Sequence, residues 1–478
     1  MTTRAVLAID QGSGSTKALL LDVHGHVIAR GAADVHTEHP EPGWVQQDAL
    51  HLWDTVQRAV AAALLQVPEV DVVAIGLSTQ RESLVVWSRS TGAPLAPVLT
   101  WQDRRSASLL PRFAATEDSI RAISGLPLDP MFSALKAAVV LPTLAADADV
   151  CIGTIDSWLL WKLGAGHVIE VGNASRTQLL DVTTGEWSEA LLEVFGVPAS
   201  CLPTVVASNA LHRIADGALP GVATGTPVAG VLGDSHAALF AHAGWLQGRV
   251  KATYGTGSSV MALGPGADAA SGLCTTIAWS DERGIARALE GNILSSGSTL
   301  VWLAELFGTT VDALAAQAAG STGAVQLVPA FNGLGAPWWD ERATGTLSGL
   351  TFGTSLADIA SAGLDSIAMQ VSDVVDAMRR AGVPVENLRA DGGATRNADL
   401  MQRQADFVGA RISVSSIAEL SAVGAANFAG RTIGLWTDAE LEARAITEAE
   451  YESVIPAIER IDRRHAWHHA VARARLEM

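Results

Sequence analysis

Two stretches of this chain, about half its length apart, share one layout: a short apolar strand, a turn built on Gly-x-Gly, and a second strand. The first runs from Ala5–Ile9 through Asp10-Gln11-Gly12-Ser13-Gly14-Ser15-Thr16-Lys17 into Ala18–Asp22. The second runs from Val250–Tyr254 through Gly255-Thr256-Gly257 into Ser259–Leu263. A recurring unit of this kind limits the fold more than any other feature. It predicts a duplicated α/β architecture, two domains that each carry a sheet with helices, with a cleft between them. At about 150 residues per domain, 478 residues allow two or three domains. The repeat selects two, divided as 1–243 and 244–478.

The surrounding pattern supports this. Val27–Gly31 follows His24-Gly25-His26 as a third strand, so the first half opens with a β-meander. Asp48 is placed to cap a helix through Leu65, with Leu52, Val56, Val60 and Leu64 along one stripe. Val72–Leu77 and Leu84–Trp87 read as further strands. In the second half, Ser355 caps a long helix whose apolar face is Leu356, Ile359, Ile367, Val371, Val374 and Met378, ended by Gly382. Leu388–Ala390 is a strand entering Asp391-Gly392-Gly393, and a helix starts near Asn397.

Charge excludes some functions. Lys and Arg total 32 against 50 Asp and Glu, a net charge of −18. That disfavours a nucleic acid backbone or an anionic membrane as partner. Hydrophobic residues at 49% and charged ones at 17% argue against disorder. Three cysteines, Cys151, Cys201 and Cys274, are too few and too scattered for a disulfide framework, and fit a reducing cytoplasm. The N-terminus runs straight into a strand, so no signal peptide is expected. No uncharged apolar run of 18 residues is found, so no membrane span is expected. Lysines are scarce: Lys17, Lys136, Lys162 and Lys251. Two of them, Lys17 and Lys251, border the two glycine turns. His24 and His26 fall in a turn, and His465, His468 and His469 in a polar C-terminal helix, where all are expected to be solvated.

Five motifs can carry chemistry. In the first turn, Gly12 and Gly14 free the backbone, Ser13 and Ser15 add hydroxyls and Lys17 adds charge, which suits a phosphate chain. Asp10 could hold a hydrated Mg²⁺. Walker-type spacing is absent, and an ordinary hairpin is the competing reading. Gly255, Thr256 and Gly257 repeat the layout, which favours a shared phosphate ligand over two unrelated hairpins. Gly392 and Gly393, between a strand and a helix at Asn397, suit a flat ligand or a phosphate, or simply a tight turn. Asp234, just after the Val231-Leu232-Gly233 strand, can accept a proton from a hydroxyl attacking phosphorus, or can cap a helix. Arg81 and Glu82 offer a donor fork and an acceptor for vicinal hydroxyls, and Trp101 an apolar wall. A surface ion pair and a core tryptophan are the alternative.

Taken together, these residues resemble the FGGY family of carbohydrate kinases, and within it most closely the glycerol kinases. The matching stretches include Asp10–Lys17, Glu41–Trp44, Thr79–Ser83, Trp101–Arg105, Gly153–Trp158, Asn173–Thr177, Gly233-Asp234, Tyr254–Gly257, Phe331–Asp340 and Asp391–Asn397. The resemblance implies an actin-like ATPase fold of two ribonuclease-H-like domains. It also implies ATP with Mg²⁺, and γ-phosphate transfer to a primary hydroxyl of a polyol or sugar. Asp10 falls on the magnesium-associated position, Gly12, Ser13, Gly14, Ser15 and Lys17 on the first phosphate loop, and Gly255, Thr256 and Gly257 on the second. Gly392, Gly393 and Asn397 fall on the adenosine motif, Asp234 on the catalytic base, and Arg81, Glu82 and Trp101 on the acceptor-binding positions.

Three positions depart from the glycerol kinase pattern. Met131 stands where a Tyr is usual, Ser235 where a Gln is usual, and Ser259 where a Phe is usual. Losing a phenol and an amide removes hydrogen bonds to a small polyol, and replacing Phe by Ser opens volume. The expected acceptor is therefore a four- or five-carbon polyol or ketose, with glycerol as the alternative. An actin-like ATP switch without a small substrate is more remote, because it has no use for Arg81, Glu82 and Trp101 beside Asp234. The expected protein is cytoplasmic, a homo-oligomer (dimer or tetramer), and binds neither nucleic acid nor membrane.

Overall fold

The computed structural model describes residues 2–145, 149–266, 271–321, 325–417, 419–445 and 447–476. The chain forms two compact units. Unit 1 takes in Met1–Ala243, Thr275–Ala288 and Glu419–Arg444; unit 2 takes in Gly244–Cys274, Leu289–Ala418 and Ala445–Met478.

Unit 1 opens with the expected meander, β1 (Thr3–Gln11), β2 (Ser15–Asp22) and β3 (Val27–Asp34), each antiparallel to the next. Its inner strands are near-continuous apolar runs, as strands covered on both faces require. Helix α1 (Ala49–Leu64) starts where expected, because the Asp48 side chain accepts the His51 N–H at 2.7 Å. Its buried stripe includes Leu52, Val56 and Val60. The helix lies so close to β3 that a Cβ on Gly31 would come within 1.9 Å of the Ala59 carbonyl oxygen. Strand β4 (Val70–Thr79) runs parallel to β1, and β5 (Pro227–Gly233) parallel to β4. The six-stranded order is the short His212–Arg213 strand, then β5, β4, β1, β2 and β3. Helix α2 (Asp234–Ala241) leaves the end of β5. The helix Leu420–Thr432 also packs on this sheet. A Cβ on Gly76 would meet the Ala425 carbonyl oxygen at 2.2 Å, and one on Gly230 would meet the Ala429 nitrogen at 2.9 Å.

Unit 2 repeats the grammar. Strands β6 (Arg249–Tyr254) and β7 (Ser258–Leu263) form the second hairpin. Helix α3 (Gly297–Leu306) and the long α4 (Leu356–Arg380) follow. Ser355 and Asp358 close a capping box at the start of α4, and Gly382 lies just past its end with φ +84°. Strand β8 (Asn387–Asp391) is parallel to β6, helix α5 (Ala398–Val408) follows, and β9 (Arg411–Ser415) is parallel to β8. Strand β10 (Thr447–Tyr451) closes this side antiparallel to β9, and α6 (Ala457–Ala474) ends the chain. As expected, His465, His468 and His469 are all exposed, and His468 also reaches a partner: its Nε2 lies 2.9 Å from Asp373 Oδ1. The same carboxylate accepts Trp467 Nε1 and Arg464 Nη2, each at 2.7 Å.

Candidate active site

The parallel strands β1, β4 and β5 end level with one another. Asp10 pairs with Ser78, Gln11 with Thr79, and Gly233 with Thr79. The residues just beyond these ends therefore gather at one edge, which is where open α/β sheets receive ligands. They are the Gly12–Ser15 turn, Gln80-Arg81-Glu82, and Asp234. Asp10 faces Lys17 across the hairpin and accepts the Ser78 hydroxyl at 2.8 Å. Burial pushes the Asp10 carboxyl up to about 6; the Ser78 bond and the Lys17 charge oppose the rise, and the nearby Asp234 charge adds to it.

Asp234 does not cap a helix with its side chain. Gly233 occupies the N-cap position, and the Asp234 carboxylate turns aside to Arg81. Arg81 Nε donates to Asp234 Oδ1 at 3.2 Å, and the Ser235 N–H donates to the same oxygen at 2.6 Å. Arg81 is buried, whereas the Asp234 side chain keeps 38% of its surface exposed. Gly233 makes the pair possible, since a Cβ there would lie 2.6 Å from Arg81 Cδ. Ser421 Oγ, from the Leu420–Thr432 helix, donates to the Asp234 carbonyl at 3.0 Å.

The first turn is held from outside. Its carbonyls have partners: Gly12 O accepts Gln11 Nε2 at 2.7 Å, Ser13 O accepts Gln47 Nε2 at 2.8 Å, and Gly14 O accepts the Val35 N–H at 3.1 Å. A peptide group is planar and trans, so each N–H in these units points away from its carbonyl's donor. The Ser13, Gly14 and Ser15 amides are thereby held on the opposite side of the turn from those carbonyl donors. Neither Gly12 nor Gly14 uses a left-handed φ, contrary to the expected need for backbone freedom. The left-handed residue is Glu82, at φ +61°.

The positions expected to bind the acceptor lie beside this turn. Trp101 is exposed, and its Nε1 donates to Ser13 Oγ at 2.9 Å. Its backbone N–H donates to Ser83 Oγ at 3.1 Å, and Ser83 Oγ donates to Gln80 Oε1 at 3.0 Å. Glu82 is buried and accepts Arg176 Nε on Oε1 at 2.6 Å. Met131 is buried, and its carbonyl accepts Lys136 Nζ. Burial holds the Lys136 ammonium down at about 7, against the pull of the Glu82, Asp129 and Asp103 charges. Sequence reasoning missed Arg176, Gln47 and Lys136 as members of this region.

In unit 2 the second turn and the Asp391-Gly392-Gly393 turn adjoin, because β6 and β8 pair Thr253 with Asp391. The second turn's carbonyls face the start of α3: Gly255 O accepts the Gly297 N–H at 3.0 Å, and Thr256 O accepts those of Ser296 at 3.0 Å and Ser298 at 3.1 Å. The Thr256 and Gly257 amides consequently point the other way. Gly392 has φ +98°, and a Cβ there would lie 2.3 Å from the Tyr254 carbonyl oxygen. Asn397 caps α5, with its Oδ1 accepting the Leu400 N–H at 3.0 Å. Ser259 Oγ donates to Glu290 Oε1 at 3.1 Å. Lys251 is buried within β6 rather than displayed at the turn it borders. A cavity of 540 Å³ in unit 2, lined by Trp302, Phe331 and Leu347 among others, contains none of the expected site residues.

The N-terminal domain of the FGGY family of carbohydrate kinases matches residues 5–241, and the C-terminal domain of that family matches residues 250–433. The chain belongs to the FGGY family of carbohydrate kinases. Among curated FGGY kinases, the apulose kinase of Pectobacterium atrosepticum is 40% identical, over 100% of this chain and 99% of that protein. The glycerol kinase of Rhodopirellula baltica is 41% identical, over 99% and 92%. Among solved structures, Plasmodium falciparum glycerol kinase with ADP aligns with a TM-score of 0.90 at 28% identity, covering 99% of this chain and 98% of that one. The xylulose kinase of Rhodospirillum rubrum shares the fold at a TM-score of 0.89 and 21% identity, covering 98% and 99%. This FGGY member thus has the actin-like ATPase fold and is an ATP-dependent, glycerol kinase-like sugar or polyol kinase. Among the described residues, no single helix is long and apolar enough to cross a membrane.

Proposed function

We propose that this kinase phosphorylates a primary hydroxyl of a four- or five-carbon polyol or ketose, with ATP as donor. The observation that carries the reading is the Arg81–Asp234 pair at the strand ends, with Asp234 half-exposed and Trp101 and Glu82 beside it. In this reading Arg81 and Glu82 orient the acceptor's hydroxyls and Trp101 covers its carbons. The hydroxyl oxygen bonds to the γ-phosphorus, the bond from that phosphorus to the β,γ-bridging oxygen breaks, and ADP leaves with the electron pair. Asp234 takes the hydroxyl proton; Arg81 and the Ser235 amide both hold Oδ1, so Oδ2 is assigned this role.

The oriented amides of the Ser13–Ser15 and Thr256-Gly257 turns, with Lys17, would receive the phosphate chain, and Gly392, Gly393 and Asn397 the adenosine. Asp10 would hold a hydrated Mg²⁺: its carboxyl and that of Asp234 repel each other, and a cation there relieves both. When bound, that ion supplies charge neutralisation at the transferring phosphoryl group. The residues of 1–243 are assigned acceptor binding, the first phosphate loop and the base, those of 244–478 the second phosphate loop and the adenosine. The exposed Val301, Trp302 and Leu306 on α3 support a homo-oligomer, dimer or tetramer. The dependence on ATP supports a cytoplasmic location.

Met131, Ser235 and Ser259 carry the choice of a larger acceptor over glycerol. The relative named apulose kinase supports it, since the ending -ulose denotes a ketose; the glycerol kinase relatives support the alternative. A coupled assay across glycerol, tetritols, pentitols and ketoses decides between them. A kcat/KM for glycerol far above all others would refute the larger acceptor. Asp234→Asn is expected to lose about 10²–10⁴-fold in kcat while ATP still binds. Substantial turnover in that variant removes Asp234 as the base.

A further inference from the structure

Arg176 has no part in the chemistry above, yet it is completely buried and its Nε donates to Glu82 Oε1 at 2.6 Å, across 94 residues of sequence. Its guanidinium also lies over the Phe132 ring, 5.2 Å from the centroid. The backbone that carries it is anchored at both ends. The short helix Val171–Ser175 precedes it, and Glu170 caps that helix by accepting the Gly172 N–H at 2.7 Å and the Asn173 N–H at 2.8 Å. Ser208 Oγ donates to Glu170 at 2.5 Å, and Asp156 accepts the Glu170 N–H at 2.9 Å. At the far end, Ser175 Oγ accepts the Ile277 N–H at 3.1 Å and pairs with Thr276 Oγ1 at 2.8 Å. Asp156, Glu170 and Ser175 are buried throughout.

Glu82 is fixed from the other side as well. Its carbonyl accepts Ser133 Oγ at 2.9 Å, and its own φ of +61° is one that a non-glycine residue adopts only when its surroundings impose it. Lys136 binds the carbonyls of Pro130, at 2.9 Å, and Met131, so the adjoining turn is held too. A buried guanidinium on one carboxylate oxygen sets the plane of that carboxylate, because the Nε–H direction is rigid.

We infer that Arg176 is a positioning residue for acceptor recognition: it claims Oε1 of Glu82 and dedicates Oε2 to the acceptor's hydroxyls. This rests on the reading above that Glu82 binds the acceptor. Without Arg176, a buried carboxylate loses its counter-ion and its orientation. A lysine restores the charge but not the fixed direction.

Steady-state kinetics on the full-length enzyme test it, using whichever acceptor gives the wild type its highest kcat/KM. Arg176→Met and Glu82→Gln should each raise the acceptor KM at least about tenfold and leave the ATP KM within about twofold. Arg176→Lys should recover part of the loss. The double variant Glu82→Gln/Arg176→Met should match Glu82→Gln alone, because Arg176 acts through Glu82. Equal rises in both KM values, or losses that multiply in the double variant, overturn the inference. If Arg176→Met does not fold, the KM split in Arg176→Lys decides the same question. An unchanged acceptor KM in Glu82→Gln overturns the acceptor-binding reading itself. A raised KM there, with wild-type behaviour in both Arg176 variants, overturns only the role of Arg176.

Discussion

In the first glycine turn, a methyl group added at Gly14 would meet nothing within 4 Å, whereas the same addition at Gly257 in the second turn would lie 2.4 Å from the Ile293 carbonyl oxygen. The two hairpins share a layout and a parallel partner strand, but their glycines serve different ends. The second turn is pressed between its neighbours: Ile293 on one side and, on the other, Gly392, where an added Cβ would lie 2.3 Å from the Tyr254 carbonyl oxygen. The first turn is braced instead by side chains, Gln11 and Gln47, and leaves one glycine open to solvent. One Gly-x-Gly pattern thus meets two physical demands, close backbone packing in unit 2 and an unobstructed approach in unit 1.

Substitution at Gly257 is the strongest way to break this comparison. Gly257→Ala should cost about 1–3 kcal/mol, because the Ile293–Leu294 backbone must shift to admit the methyl. Thermal melting reads it directly, and an unchanged Tm would mean the two turns are equally tolerant. Gly14→Ala should leave stability within about 0.5 kcal/mol and act on function alone. Its methyl projects into the open side of the turn, so the ATP KM should rise about tenfold, with the acceptor KM unchanged. Wild-type ATP affinity in this variant would remove Gly14 from the nucleotide's path. Gln47→Leu sharpens the contrast further. It deletes the bond to the Ser13 carbonyl and one to Gln80, and should cost about 1 kcal/mol with a severalfold rise in the ATP KM. If Gln47→Leu binds ATP normally, side-chain bracing does not orient the first turn.

Much of this was legible from the sequence. Asp48 and Ser355 cap the helices they were expected to cap, and both glycine turns join the strands assigned to them. What sequence could not show is set by long-range geometry. The Glu82–Arg176 pair spans 94 residues, and neither residue alone differs from a surface ion-pair partner. The left-handed φ at Glu82 has no signature, because glutamate is not a turn residue. Asp234 reads equally as a helix cap or a base; the structure puts Gly233 at the cap position and pairs the Asp234 carboxylate with Arg81. The Leu420–Thr432 helix packs on strands far from it in sequence because Gly76 and Gly230 lack side chains, and isolated glycines in strands carry no label for their partner.

Unit 1 also has a closed region to set against its open turn, and it gives the smallest effect. Lys136 is fully buried, with its ammonium against the Pro130 and Met131 carbonyls, and burial brings it from 10.5 down to about 7. The folded chain therefore releases this proton more readily than the unfolded chain does. Between about pH 7 and 10.5 the unfolded state binds more protons, so stability rises with pH across that window. Below about 7 both states hold the proton and this slope vanishes. The slope from one such group is at most about 1.4 kcal/mol per pH unit. Denaturant melts at pH 7, 8 and 9 should show this rise in the wild type and a flatter course in Lys136→Met. Equal slopes in the two proteins would show that Lys136 keeps its proton in the fold, and that the turn it holds is charged rather than neutral. Lys17, partly exposed beside the open turn, supplies the internal contrast: Lys17→Met should act on nucleotide binding, read as a raised ATP KM with the acceptor KM unchanged.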